Sequence, residues 1–174
     1  MDKTEDIKKL LDKVKAVEKG ENLDLSSGED LSVGVMNLIG IEEHLFFSYG
    51  KTKETKYLVL LHEIREMRKK LLKNLIKDYE GEEWCIQKHL LAGCMRLMEV
   101  GTKSLAKGEK KEAEDYFQMA YKLYEMFWGL NLKLIKTDEL VRSVELKEAE
   151  KESTHSFMSK LGQVIKHAID CCRE

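Results

Sequence analysis

The sequence predicts an all-α protein, an up-and-down antiparallel bundle of five to six helices. Three observations carry this expectation. The chain of 174 residues contains no proline, where about eight or nine would follow from an ordinary usage of about 5%. Proline breaks helix interiors yet serves turns and sheet edges well, so its absence argues against a turn-rich β fold. Apolar residues recur at three- and four-residue spacing, and no stretch shows the period-two alternation of a half-buried strand. Finally, hydrophobic residues make up 43% and charged residues 36%. That mixture suits amphipathic helices with salt-bridged outer faces and is too apolar for a disordered chain.

Each element follows from this spacing. Ile7, Leu10, Leu11, Val14 and Val17 predict a helix over 3–19, stopped by Gly20. The stretch GENLDLSSGE, residues 20–29, reads as a loop because of its Gly, Ser and Asn content. A second helix over 30–49 starts near Asp30 or Ser32, with Val35, Leu38, Leu45 and Tyr49 as its stripe and Gly50 as its close. A third helix over 54–79 carries Tyr57, Leu58, Leu61, Ile64, Leu71, Leu72, Leu75 and Tyr79, and Gly81 marks its end. The fourth, over 82–106, opens with Glu82 and Glu83, which suit the positive end of a helix dipole. After a turn at 107–110 a fifth helix runs to about residue 135, with a kink expected near Gly129. The final stretch, 138–172, reads as one long helix or as two with a break near Ser153. The expected organisation is an N-terminal helix and loop at 1–29, a bundle core at 30–135, and a C-terminal segment at 136–174 packed on the same domain. Short loops between the middle helices imply antiparallel neighbours.

Between Cys94 and Phe127 two helical patterns meet at a short polar turn, with Gly101, Gly108, Ala113 and Ala120 at fixed offsets and Phe117 among them. This stretch resembles a single tetratricopeptide repeat, with Gly101, Gly108, Ala113, Phe117 and Ala120 at the eighth, fifteenth, twentieth, twenty-fourth and twenty-seventh positions of a 34-residue unit. Small residues let two helix backbones approach, and the aromatic ring fills the space between them. Leu97 stands where the family often has Trp, and Glu125 where it often has Pro. No second copy follows at a 34-residue offset. The resemblance implies a helical hairpin used in protein interaction.

Charge and cysteine usage narrow the function classes. The formal net charge is −2, which gives no overall support to nucleic-acid or membrane attachment. No apolar run reaches the length of a membrane-crossing helix, and the charged N-terminus lacks a signal-peptide core. A cytoplasmic location is expected. Cys85, Cys94, Cys171 and Cys172 have no zinc-site spacing and are expected to be reduced thiols. A local basic excess does exist: residues 51–77 hold nine Lys or Arg against Glu54, Glu63 and Glu66. It makes a nucleic-acid surface on the third helix a lesser alternative.

Candidate sites fall into three groups. Glu42 interrupts the apolar stripe of its helix, Arg65 and Arg68 border the next, and Arg96 and Glu99 share a face of the fourth. Charges beside a core are tolerable when paired. Glu42 or Glu43 is therefore expected to pair with Arg65, Arg68 or Arg96, as a register-fixing network or a polar pocket for a small anion. A docking surface is expected from Tyr121, Tyr124, Phe127 and Trp128 on the fifth helix and from Phe157, Leu161, Val164 and Ile165 near the C-terminus. A metal set is conceivable from Glu43, His62, Cys85 and His89, because Cys85 and His89 stand at i and i+4. The Glu-x-x-His pairs of a di-iron bundle are missing from these helices. No nucleophile elbow or phosphate-cradling glycine loop is present. The leading expectation is a non-enzymatic protein-interaction or assembly module that needs no cofactor and binds a protein partner or itself. A ligand- or metal-binding bundle, ferritin-like in general style, is the alternative.

Overall fold

A computed structural model describes residues 25–77 and 81–137, together with the single positions Asp12 and Gly162. The described residues form helices joined by turns, with no strand among them. In chain order these are α1 (Leu25–Thr52), α2 (Lys56–Leu75), α3 (Glu82–Ala106) and α4 (Lys110–Asn131). The helices expected over 3–19 and 138–172 lie outside the described residues. The chain divides into two compact units, one of Asp30–Leu123 and one of Met1–Glu29 with Tyr124–Glu174.

Helix ends differ from the sequence expectation for identifiable reasons. α1 begins at Leu25, inside the expected loop. Gly28 lies against the Trp128 ring, where an added Cβ would come 3.2 Å from Cη2. That close tertiary contact offsets the weak helix propensity of the Ser-Ser-Gly stretch. α1 also runs through Gly50 to Thr52. It closes on Lys53, which takes a left-handed φ of 58° and donates its N–H to the Tyr49 carbonyl at 2.8 Å. α2 stops at Leu75, short of the expected residue 79, because Ile76 turns to an extended conformation and buries its side chain. α4 ends at Asn131 rather than near residue 135. Leu134 N–H donates to the Gly129 carbonyl at 2.8 Å and Lys133 N–H to that of Leu130 at 2.9 Å, with Lys133 at φ 54°. This is a Schellman closure with lysine in the position that favours glycine. The break expected near Gly129 is thus a helix end a few residues beyond it.

α3 and α4 form a hairpin closed at Gly108. Glu109 N–H donates to the Ser104 carbonyl at 3.0 Å and Gly108 N–H to that of Leu105 at 3.0 Å, a Schellman closure with Gly108 at φ 84°. A Cβ on Gly101 would lie 2.9 Å from the Phe117 ring, and one on Gly93 would lie 3.0 Å from Leu123 Cδ1. As α3 is followed from Gly101 back to Gly93, its contact on α4 advances from Phe117 to Leu123, so the two helices are antiparallel. The missing side chains at the two glycines let the helices approach closely.

Burial in the Asp30–Leu123 unit is uneven. Ser32, Val35 and Met36 at the start of α1 are buried, as are Arg68, Leu72, Leu75 and Ile76 at the end of α2. Gln87, Leu91, Cys94, Gly101 and Ser104 are buried on α3, and Ala113 and Ala120 on α4. No side chain between residues 37 and 67 is fully buried. In the other unit Phe127, Trp128, Leu130, Leu132, Leu134 and Ile135 are buried. Trp128 meets Phe127 edge-on at 5.2 Å and Tyr124 at 6.2 Å.

The two lysine-closed helix ends and the glycine-closed one make opposite predictions. Gly108→Ala is expected to lower stability by about 1 kcal/mol, since an L-residue resists the left-handed region. Lys53→Gly relieves the same strain and loses the contact of its ammonium with the Tyr49 ring, 5.8 Å from the centroid. A net gain of about 0.5 kcal/mol is expected. Urea denaturation of both variants checks the opposite signs.

Candidate functional site

The residues singled out by their misplaced charge come together across three helices. Arg68 on α2 donates through Nε to Glu42 Oε1 on α1, and its Nη2 reaches Glu42 Oε2 at 3.3 Å. The side chains are 5% and 15% exposed. A planar guanidinium and a carboxylate meet here in the two-point geometry that Lys does not offer. Arg96 on α3 donates to Glu43, the next residue of α1, and also to Glu99 at 3.1 Å on its own helix. This second cluster is substantially exposed. Arg65 is exposed and stands apart from both pairs. The arrangement therefore uses consecutive residues of α1 to reach two different helices: Glu42 turns to α2 and Glu43 to α3.

The two clusters differ in energetic weight. Arg68 is nearly enclosed, so loss of Glu42 leaves a cation with little access to water. The Arg96 cluster is solvated, where such pairs contribute about 0–1 kcal/mol. Both carboxylate oxygens of Glu42 are engaged by Arg68.

The remaining candidates are placed as follows. Among the described residues no group of three or more His, Cys, Asp or Glu side chains comes together in a way that could hold a metal ion. Glu43, His62, Cys85 and His89 accordingly do not converge: Glu43 is taken by Arg96, while His62, Cys85 and His89 are exposed on α2 and α3. The i, i+4 spacing of Cys85 and His89 sets them on one face of α3, and among the described residues no third ligand joins them. Cys94 is buried, and its thiol is pushed up to about 11 from 9.0 by that burial, the opposite of what an activated nucleophile needs. The expected aromatic docking surface is corrected in part. Trp128 and Phe127 are core residues with no exposed surface, and Tyr124 is half-buried against them. Tyr121 is exposed. Phe157, Leu161, Val164 and Ile165 lie outside the described residues.

Sequence reasoning missed the surface that the structure does expose. On α1, Ile41 is 43% exposed, and on α2 Leu60 and Met67 are 49% and 51% exposed. Leu38, Leu45, Ile64 and Leu71 beside them are half-buried. Phe46, Phe47, Leu58 and Val59 are also exposed near the α1–α2 turn. Ile41, Leu60 and Met67 continue the helical spacing of their half-buried neighbours, so the pattern alone reads as core. The basic excess of this region is partly engaged: Arg68 with Glu42, Lys69 with Glu66 at 2.8 Å, and Lys56 with Glu54 at 2.5 Å. That weakens it as a phosphate-binding stripe. No helix among the described residues is long and apolar enough to cross a membrane. Comparison with protein-family models, with curated proteins and with solved structures yields no match.

Two outcomes are expected from these side chains. Glu42→Ala lowers unfolding free energy by about 2–3 kcal/mol, and Arg96→Ala by less than about 1 kcal/mol. The double variant Glu42→Leu with Arg68→Met recovers most of the larger loss, because no charge then remains enclosed; urea titrations measure all three. A short alkylation pulse at pH 8, read by peptide mapping, labels Cys85 and spares Cys94. Stability falls as pH climbs from 9 towards 11, since the unfolded Cys94 thiol ionises first, and Cys94→Ala flattens that decline.

Proposed function

We propose that this protein is a non-enzymatic helical interaction or assembly module. The observation that supports the reading is the apolar surface left open on α1 and α2. Ile41, Leu60 and Met67 are large, apolar and exposed on one side of the α1–α2 hairpin, with half-buried Leu38, Leu45, Ile64 and Leu71 beside them. Exposed apolar residues are ordinary when scattered, but a concentration of them marks an interaction surface. Cys94 is buried with its thiol pushed up to about 11, and among the described residues no group of three His, Cys, Asp or Glu side chains could hold a metal ion.

The α3–α4 hairpin belongs to the same reading as a tetratricopeptide-like packing unit. Its support is the seating of the Phe117 ring on Gly101 and the glycine-closed turn at Gly108. With no neighbouring copy of the repeat, this hairpin acts as scaffold and the α1–α2 surface as the binding element.

Site-specific photo-crosslinking in the native cell tests the proposal. A crosslinking side chain at position 60 or 67 is expected to capture a discrete protein adduct, while one at exposed position 111 on α4 captures none. Absence of any adduct from positions 41, 60 and 67 would remove the interaction reading.

A further inference from the structure

The distal part of the α1–α2 hairpin, residues 37–67, is held far less firmly than the rest of its unit. No side chain in this segment is fully buried, and Phe46, Phe47 and Val59 are more than half exposed. Unfolding the segment therefore uncovers little further apolar surface, and the free energy of an opening grows with the surface it uncovers. The helix is also weak in itself. Gly40 and Gly50 stand inside α1, and an added Cβ at either would meet nothing within 4 Å among the described residues. Gly93 and Gly101 on α3 make room for Leu123 and Phe117. Gly40 and Gly50 serve no such contact, yet each lowers the helix equilibrium about fivefold relative to Ala. The turn adds Lys53 at a left-handed φ of 58°, which an L-residue resists.

Few ties oppose this weakness. Among the described residues, the polar side-chain ties from the segment to another helix are Glu42 with Arg68 and Glu43 with Arg96. The second is solvated, and the first is nearly enclosed. The enclosed pair also stands where burial begins. Ser32, Val35 and Met36 are buried before Glu42 on α1, and Leu72, Leu75 and Ile76 are buried after Arg68 on α2. It thus divides the half of the hairpin that burial holds from the half that it does not.

We propose that residues 37–67 are a conformational device, a hairpin that unfolds locally as one unit while the buried ends of α1 and α2 and the α3–α4 hairpin stay folded. The Glu42–Arg68 pair is its latch. When the segment opens, Arg68 gains water as it loses its carboxylate, so no enclosed charge is left without a partner. The interaction surface described above lies on this element, and a partner that takes only the closed hairpin suppresses the opening by mass action. The motion itself needs no partner. It is tested on the isolated chain, so its failure and the failure of the interaction reading are separate results.

Native-state hydrogen exchange on the full chain, followed residue by residue in urea below the unfolding transition, tests the proposal. Amides of residues 45–52 and 60–66 are expected to share one protection factor, at least about 100-fold below those of residues 91–104 on α3, with a shallower urea dependence. Gly40→Ala and Gly50→Ala are each expected to raise the protection of the hairpin about fivefold. Glu42→Gln is expected to lower it at least about tenfold, because Arg68 then stays enclosed without a counter-charge in the closed state. Leu91→Val, in the core of α3, speeds exchange at residues 91–104 and leaves the hairpin unchanged, because a local opening does not pass through global unfolding. Equal protection and equal urea dependence in the hairpin and in α3, or a Leu91→Val effect of the same size in both, overturns the local unit. A hairpin unmoved by Glu42→Gln overturns the latch, and one unmoved by both glycine variants overturns the part given to Gly40 and Gly50.

Discussion

The pairing of Arg68 with Glu42 is the constraint on which the described architecture turns. A guanidinium with 5% of its side chain exposed cannot be left without a counter-charge. The carboxylate and the guanidinium meet only when Glu42 on α1 and Arg68 on α2 face each other. The adjacent Glu43 then has a single direction left, and it reaches Arg96 on α3. The enclosed Glu42–Arg68 pair thus orients α1 against α2, while the solvated Glu43–Arg96 pair adds about 0–1 kcal/mol towards α3. Apolar contacts tolerate small rotations, since neighbouring side chains repack at modest cost. A two-point ion pair tolerates them far less, because its hydrogen bonds are directional.

From that rotational setting follows the uneven distribution of burial. The start of α1 and the end of α2 supply Ser32, Val35, Met36, Leu72, Leu75 and Ile76 to the core. The opposite ends of the same helices, from residue 37 to 67, bury no side chain fully. Apolar residues with strict helical spacing continue into this half, so the hairpin carries more apolar surface than its own unit covers. Association of proteins through helices commonly uses such a surplus, with the ordered helices reducing the entropy lost on binding.

Much of this was legible in the residues. The helix over 82–106 has the bounds that its apolar spacing and its Glu82-Glu83 start imply. The turn at 107–110 was legible because Gly108 is the residue best suited to a left-handed closure. The pairing of a carboxylate on α1 with an arginine on α2 was legible because each stood out of place against an apolar stripe. The start of α1 was not, because Leu25–Gly28 has loop-like composition and the approach of Gly28 to the Trp128 ring is a contact between residues far apart in sequence. The end of α2 was not, because an extended Ile76 is favoured by burial rather than by propensity. Trp128 read as a docking aromatic and is a core residue; an apolar stripe has the same spacing whether it faces the interior or a partner.

The sequence by itself determined the helical class, the hairpin turn at Gly108 and the set of charges that had to be neutralised. These are consequences of local periodicity, backbone preference and the cost of an unpaired charge, all of which act over a few residues. Only the tertiary structure decided which carboxylate met which arginine, that Glu43, His62, Cys85 and His89 stay apart, and which apolar stripe remained uncovered. Each of those depends on the rotation of one helix about its axis relative to another. No run of residues encodes that rotation locally; it is set where Glu42 reaches Arg68 and where the Phe117 ring rests on Gly101.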